Sequence, residues 1–368
     1  MLIRDSSCQH ANLNKPMLLF RSMDSLSQIV LGAAVGEIML GKKLGNKGQL
    51  LGAIAGTIPD LDVLLNPFFT DEITKLNIHR GYSHAVLFHL LLAWPLARLS
   101  QRWSTSDISA RRWYLFWFLG LFTHALLDCC TTYGTQLLLP LTDYLVGFNN
   151  IAVVDPLWTL PFMAMLIVCL FVPREKKTRK LWVMIGCSYA ALYMGFTLIN
   201  KYNVHQHFTR QLEQQGIAYS ELKTTPTMFN NILWSGIALG KDSIYFGEYS
   251  WIQQDPVVEW IAFPRNQALI DNHPAQREME ALKWFGQDAY FAVAEGDHVD
   301  FFTAKWGRTD FTKTTAHGAF VFHWRVEPSN NGWRALQVMP SWDGEDFRAA
   351  MCSLWQRIGD KPIKSDTP

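Results

Sequence analysis

Long apolar runs are confined to the first 200 residues of this 368-residue chain, and this division constrains the fold more than any other feature. Six such segments follow one another, at 26–40, 49–65, 85–99, 113–127, 156–172 and 181–200. A single membrane crossing needs roughly 20 apolar residues, with about 17 as the lower limit, so only the last two segments reach this length comfortably. We predict a mainly α-helical polytopic membrane domain of about six apolar helices over 23–200, whose first four helices are thin spans, re-entrant helices or a bundle embedded in one leaflet.

Residues 201–368 predict a soluble α+β domain. A helix over 204–215 is followed by alternating, aromatic-rich stretches at 243–251, 257–263, 289–294, 300–305, 319–326 and 333–339. Their period of two indicates an antiparallel sheet, and a helix over 274–285 is expected to pack on it. His298, His317 and His323 show no ligand spacing, so they are interpreted as strand or surface histidines.

Charge and cysteine content exclude several classes of protein. The net charge of +1 and the pI of 7.7 give no basic surface for nucleic acid. The six cysteines contain no Cys-x-x-Cys pair, which argues against a disulfide framework. Residues 1–22 have only a four-residue apolar patch, too short for a secretory signal, so we expect either a flexible leader or an untranslated stretch upstream of Met23.

Basic residues predict the orientation of the membrane half. Lysines and arginines follow the first, third and fifth apolar segments, whereas the loops after the second and fourth segments carry little positive charge. The positive-inside rule places the basic loops in the cytoplasm. If each of six segments crosses once, the polar motifs described below and the soluble domain both lie on the extracytoplasmic side.

Three short motifs at the edges of apolar segments contain residues that bind metal ions. They read I-P-D-L-D at 58–62, H-R-G-Y-S-H at 79–84 and H-A-L-L-D at 124–128. Each alone has a structural alternative, such as an aspartate that caps a turn or a core histidine hydrogen-bonded to aspartate. Together they predict a site for one or two divalent metals, with the candidate ligands Asp60, Asp62, His79, His84, His124 and Asp128.

Other polar residues receive different interpretations. Arg80 is expected to stabilise negative charge during catalysis, and Asp62 and Asp128 serve as further ligands, as groups that orient histidine, or as a general base. His89 is interpreted as a core histidine. Glu37 is expected to snorkel or to pair with Lys42 or Lys43.

The motifs as a set resemble one family. Met23-Asp-Ser-Leu-Ser-Gln28, the small-residue helix Gly32-Ala-Ala-Val-Gly36 and the three motifs above resemble the membrane-bound metal-dependent hydrolases, whose best-known bacterial branch is described as LexA-regulated and inner-membrane associated. The resemblance implies hydrolase activity, a divalent metal and the bacterial inner membrane. Family members usually carry a Thr-His pair where this chain has Ser27-Gln28, and a neutral amide is a weak metal ligand, so the resemblance implies one metal more firmly than two.

These observations lead to an expected function and a rival. We expect a multi-pass hydrolase that uses metal-activated water to cleave a phosphoester or another ester, with zinc first and manganese or magnesium as alternatives. The expected partners are the lipid bilayer and a lipid or lipid-linked substrate, with no nucleic acid. The rival is a non-enzymatic transporter or sensor that binds an ion with the same His/Asp cluster, and a third interpretation is a structural protein without metal.

Overall fold

The structure, a computed structural model, describes residues 15–253, 257–308, 316–317, 319–330, 332–338 and 344–359. Residues 1–14 of the expected leader lie outside this range, as does Met339 at the end of an expected strand. The remainder of the expected leader belongs to the first helix, which begins at Lys15.

Helices fill the first part of the described chain. They are α1 (Lys15–Leu44), α2 (Asn46–Ala55), α3 (Glu72–Ile78), α4 (Val86–Trp103), α5 (Ala110–Cys130), α6 (Pro156–Phe171) and α7 (Lys177–Gln214). Two 3₁₀ helices, Pro59–Phe68 and Tyr82–His84, lie between them. α2 ends before Pro59, which cannot donate the backbone hydrogen bond that a continuing helix needs. The expected span at 181–200 and the helix at 204–215 form one continuous helix, α7, because no proline or glycine separates them.

The prediction of six apolar membrane helices was wrong. Among the described residues, only α5 and α7 are long and apolar enough to cross a membrane. A third crossing is reached only if α2 and the 3₁₀ helix Pro59–Phe68, bent by 45°, count as one span. Turns and polar residues interrupt the apolar runs, so most of the runs do not form helices of spanning length. With two or three candidate crossings, the orientation inferred from counting six no longer follows.

Helices α1 and α2 approach at backbone distance through small residues. A Cβ atom built on Gly32 would lie 2.3 Å from the carbonyl oxygen of Gly52, and one on Gly36 would lie 2.1 Å from that of Gly48. Any larger side chain at these positions would push the helices apart. The glycines therefore set the position of the chain that follows α2.

The described residues between 221 and 338 form two antiparallel sheets where the sequence predicted one. The first, in the order β1-β2-β3-β4, consists of Glu221–Pro226, Leu233–Leu239, Ser243–Ser250 and Ile261–Pro264. The second, in the order β5-β6-β7-β8, consists of Tyr290–Glu295, His298–Thr303, Phe322–Ser329 and Gly332–Val338. Two short helices, α8 (Gln267–Asp271) and α9 (Gln276–Gly286), connect the sheets, and α10 (Gly344–Gly359) follows them.

The expected helix at 274–285 corresponds to α9 and packs on the second sheet. Met279, Leu282 and Phe285 of α9 share a buried cluster with Phe301 and Trp324 of that sheet. A second cluster, which includes Phe246, Phe291 and Phe320, fills the space between the two sheets. Apolar burial of this kind is the main stabilising contribution to such a domain.

Polar contacts fasten the sheets to the helical part. Nδ2 of Asn231 donates to the carbonyl oxygen of Asn150 at 2.8 Å, and Nζ of Lys305 donates to that of Tyr133, also at 2.8 Å. Both acceptors lie in the loop that follows α5. The sheets therefore cover the same end of α5 that carries His124 and Asp128.

Candidate metal centre

Four side chains converge where three local elements meet. Asp60 follows Pro59 at the start of a 3₁₀ helix, and His84 ends the short 3₁₀ turn that leads into α4. His124 and Asp128 are four residues apart on α5, so both point from the same face of that helix. Asp60, His84, His124 and Asp128 are referred to below as the four-ligand cluster.

The distances within the four-ligand cluster match a tetrahedral metal site. The Nε2 atoms of His84 and His124 are 3.1 Å apart. Oδ1 of Asp60 lies 3.5 Å from the first of these atoms and 3.4 Å from the second, and Oδ2 of Asp128 lies 3.2 and 3.4 Å from them. A tetrahedron with zinc bonds of about 2.0–2.2 Å has edges of about 3.3–3.6 Å. The cluster could therefore hold one ion with only small adjustments.

Hydrogen bonds to the outer ring nitrogens direct both Nε2 atoms towards the centre as acceptors. Nδ1 of His124 lies 2.6 Å from the carbonyl oxygen of Gly56, which can only accept, so Nδ1 carries the proton. Nδ1 of His84 lies 2.9 Å from Oγ of Ser83, and that hydroxyl donates to Oδ2 of Asp62. Neutral imidazoles in these tautomers present their Nε2 lone pairs to each other. A cation between them removes the resulting repulsion.

The burial of the cluster is a second reason to expect a bound cation. The side chains of His84 and His124 are fully buried and that of Asp128 is 1% exposed, whereas that of Asp60 is 26% exposed. Oδ2 of Asp128 accepts no hydrogen bond from the described residues. A buried carboxylate oxygen in this state is costly unless a cation compensates it. Asp60 is therefore the member of the cluster that is most accessible to solvent.

Asp62 and His79 lie outside the cluster and support it. Oδ2 of Asp62 accepts hydrogen bonds from the backbone N–H of Arg80 and from the Ser83 hydroxyl, both at 3.0 Å. Nδ1 of His79 lies 3.2 Å from Oδ1 of Asp62. Asp62 thus orients the candidate ligand His84 through the hydroxyl of Ser83. Indirect contacts of this kind orient the ligands in many metal proteins.

Arg80 lies beside the cluster in an unusual backbone conformation. Its φ is 56°, in the left-handed region that side chains larger than glycine seldom adopt. Its Nη2 is 3.4 Å from Oδ1 of Asp128, and its guanidinium carbon lies 4.8 Å from the centre of the Tyr133 ring. Strain of this kind persists where surrounding contacts enforce it, and here it accompanies the turn that brings His84 inward.

Gln28 is a residue whose role the sequence did not reveal. It is 1% exposed, and its Nε2 donates to Oδ1 of Asp128 at 2.6 Å. The amide thereby holds one carboxylate oxygen and leaves Oδ2 for an ion. The motif Ser27-Gln28 offered no signal for this, because the contact spans 100 residues of chain.

Other polar residues near the helices do not belong to the four-ligand cluster. Nε2 of His89 is 2.9 Å from the carbonyl oxygen of Ser83, an ordinary buried contact. Glu37 pairs with Arg179, and its pairing with Lys42 or Lys43 was the wrong expectation. Cys129 and Cys130 are free cysteines.

Comparison with known proteins extends to the helical part of the chain. Residues 23–204 match the model of a family described as YdjM inner membrane protein. No curated protein and no solved structure matches the chain. The matched region contains the four-ligand cluster, the whole of α5 and α7 as far as residue 204, and it ends before the first sheet. The comparison therefore supports a protein of the bacterial inner membrane that carries a group of His and Asp residues able to hold a metal ion.

Proposed function

We propose that this protein is an inner-membrane metal-dependent hydrolase that cleaves a phosphoester. The observation that carries the proposal is the convergence of two imidazole lone pairs and two carboxylate oxygens at distances of 3.1–3.5 Å. Two acidic side chains face one guanidinium, that of Arg80, so excess negative charge favours a bound cation. Zinc suits this mixture of nitrogen and oxygen ligands, with manganese as the first alternative.

Each residue has a defined role in the proposal. Asp60, His84, His124 and Asp128 hold the ion, which would supply a Lewis acid for water and for an ester oxygen. Asp60, the most exposed ligand, borders the side from which a substrate enters. Arg80 contributes a positive charge next to the ion, where it can stabilise a phosphoryl oxygen. Asp62 orients His84 through the hydroxyl of Ser83.

The surroundings of Asp60 favour a substrate with an apolar part. The same 3₁₀ helix exposes Leu61, Leu64 and Phe68 by 51%, 64% and 80%. Exposed apolar side chains in such density are typical of a surface that meets lipid. A lipid or lipid-linked phosphoester would place its chain against these residues and its phosphate near Asp60.

The basic loops support an extracytoplasmic position for the cluster without counting spans. Nη1 of Arg174 donates to the carbonyl oxygen of Lys43 at 3.0 Å, and Nζ of Lys43 lies 3.9 Å from Asp107. These contacts join the last turn of α1 to the loops after α4 and α6, at the end of the helices opposite to the cluster. Since these loops and the helix turns that adjoin them hold most of the basic residues of the helical part, the positive-inside rule favours the cytoplasm for that end.

A second candidate function rests on the number of ligands. Catalytic zinc sites usually have three protein ligands and an open position, whereas four protein ligands are typical of sites without catalysis. If Asp60 stays bound, the cluster would serve as an ion-binding element of a sensor or transporter. Hydrolysis requires either that Asp60 moves aside or that the ion accepts a fifth ligand.

The test measures metal content and turnover on the full chain in detergent. We compare native protein with the His84→Ala/His124→Ala variant, using bis(p-nitrophenyl) phosphate and a lipid phosphoester as substrates. The control is His89→Gln, because His89 is equally buried but bonds to a backbone carbonyl outside the cluster. We expect the double variant to bind one ion fewer and to lose turnover, while the control retains both.

Two results would change the conclusion. Equal metal content in native protein and double variant would overturn the metal centre. A metal content that depends on His84 and His124, without turnover of either substrate, would favour the ion-binding role over hydrolysis.

A further inference from the structure

A second group of histidines lies on one face of the β5–β8 sheet, far along the chain from the four-ligand cluster. Asp300 of β6 pairs with Arg325 of β7, and Phe302 pairs with His323. Because directly paired residues point to the same side of a sheet, Asp300 and His323 share a face. The opposite face, with Phe301 and Trp324, packs in the core against α9.

The connection between β6 and β7 brings another imidazole to this face. Nε2 of His317 lies 2.7 Å from Oδ2 of Asp300, and Nε2 of His323 lies 3.1 Å from Oδ1 of the same carboxylate. The centroids of the two imidazole rings are 5.3 Å apart at an interplanar angle of 73°. The rings of His84 and His124 show nearly the same relation, at 5.0 Å and 61°.

Burial distinguishes this group from a surface cluster. Asp300 is completely buried, and His323 is 6% exposed. Nε2 of His323 makes no hydrogen bond to the described residues although it faces the carboxylate. Buried polar groups are normally satisfied, so an imidazole nitrogen without a hydrogen bond next to a buried carboxylate indicates a missing ligand.

The alternative is a charge network in which Arg325 neutralises Asp300. Nε of Arg325 is 3.5 Å from Oδ1 of Asp300, at the limit of a hydrogen bond, and its side chain is 39% exposed. This contact involves only Oδ1, and it leaves the Nε2 atom of His323 without a hydrogen bond. Arg325 therefore balances part of the charge but does not satisfy the group.

We infer that Asp300, His317 and His323 form a second metal site, which takes a divalent transition-metal ion such as zinc. Glu295, at the end of β5, is placed to add a fourth ligand, since its Oε1 lies 3.4 Å from Nε2 of His317. Imidazole and carboxylate ligands in this proportion suit zinc and cobalt. The ion would hold His317, which lies in the connection between β6 and β7, against the sheet. This structural role is independent of the proposed hydrolase activity.

The experiment counts ions in the full chain after dialysis against Zn²⁺. The principal variant is His317→Ala, because the His317 side chain is 40% exposed and its removal leaves the sheet core intact. The control is His205→Gln on α7, which removes a histidine outside both sites. We expect His317→Ala to bind one ion fewer than native protein, both with and without His84→Ala/His124→Ala, and the control to bind as native protein does.

Co²⁺ substitution provides a second measurement, made after circular dichroism has shown that each variant is folded. In the His84→Ala/His124→Ala background, bound Co²⁺ should give the visible absorption of a nitrogen-and-oxygen site, and His317→Ala should abolish it. A melting temperature raised by Zn²⁺ in this background, and unaffected by Zn²⁺ after His317→Ala, would agree. Equal ion counts with and without His317, or no Co²⁺ absorption in this background, would show that Arg325 and the histidines form a charge network only.

Discussion

The side-chain amide of Gln28 on α1 donates a 2.6 Å hydrogen bond to Oδ1 of Asp128 on α5. The amide holds the carboxylate in one orientation, in which Oδ2 points at the Nε2 atoms of His84 and His124. The residue that looked like a weak metal ligand in the sequence is thus a group that positions a ligand. Its oxygen, Oε1, is buried without a hydrogen bond to the described residues.

Replacing Gln28 by leucine should weaken metal binding without abolishing it. Leucine nearly fills the volume but cannot donate to Asp128, and the loss of such supporting hydrogen bonds reduces metal affinity by roughly 10–100-fold. A competition titration with a chromogenic chelator measures this change. Ser27→Ala is the matched control, because Oγ of Ser27 contacts Thr159 and not the cluster. Equal zinc affinity in Gln28→Leu and Ser27→Ala would contradict the positioning role.

Gly52→Ala should reduce stability and metal affinity together. The new Cβ would lie 2.1 Å from the carbonyl oxygen of Gly32, so α1 and α2 must separate, at a cost of about 1–3 kcal/mol. The separation would displace Gly56, whose carbonyl oxygen accepts from Nδ1 of His124. Thermal unfolding with and without Zn²⁺ measures both effects. Gly195→Ala is the control, since a Cβ there meets nothing within 4 Å, and an equal effect of the two substitutions would refute this explanation.

Removing only one partner of the ion pair between Glu37 and Arg179 should strongly destabilise the protein. Oε1 and Oε2 of Glu37 accept from Nε and Nη2 of Arg179 at 2.7 and 2.6 Å, and both side chains are about 5% exposed. Glu37→Leu leaves a buried guanidinium uncompensated and should cost about 3–5 kcal/mol. Adding Arg179→Met should recover most of the loss in denaturant unfolding. A double variant as unstable as Glu37→Leu would mean that the volume of the glutamate, and not its charge, matters.

The sequence predicted which residues would carry the candidate site. It did not predict which of them form the four-ligand cluster and which, namely Asp62 and His79, support that cluster from outside. The four-residue spacing of His124 and Asp128 and the position of Asp60 after Pro59 are local signals, and the structure brings these residues together. The choice between His79 and His84 is not local. It depends on the left-handed backbone of Arg80 and on Asp62, which accepts from the Arg80 N–H and turns His84 towards α5.

Not every strand was predictable from the sequence, and β2 is the clearest case. β2 (Leu233–Leu239) was missed because each of its residues is buried, so the period of two disappears. Apolar run length alone also overestimated the number of membrane helices. α4, for example, holds the apolar run 85–99 but also contains His89, Pro95 and Arg98, and it does not reach the hydropathy of a span.

Lys305 links the second sheet to the loop after α5 through a buried amine. It is 3% exposed, its Nζ donates to the carbonyl oxygen of Tyr133, and it lies 4.7 and 4.6 Å from the ring centres of Phe285 and Trp306. Burial, with the positive charges of Lys223 and Arg80, holds the pKa of the Lys305 ammonium well below its ordinary value. The native protein therefore binds this proton more weakly than the unfolded chain does.

This depressed pKa predicts that the free energy of unfolding rises with pH. Between the lowered pKa and the ordinary value of about 10.4 the unfolded chain binds more protons, so each unit of pH adds up to about 1.4 kcal/mol from this residue. Lys305→Met keeps the aliphatic stem among the aromatic rings but cannot titrate, so it should flatten the dependence. Urea unfolding followed by tryptophan fluorescence from pH 7 to pH 10 measures the slope, with the exposed Lys241→Met as control. Parallel curves for the native protein and Lys305→Met would show that the lysine does not titrate differently in the native state.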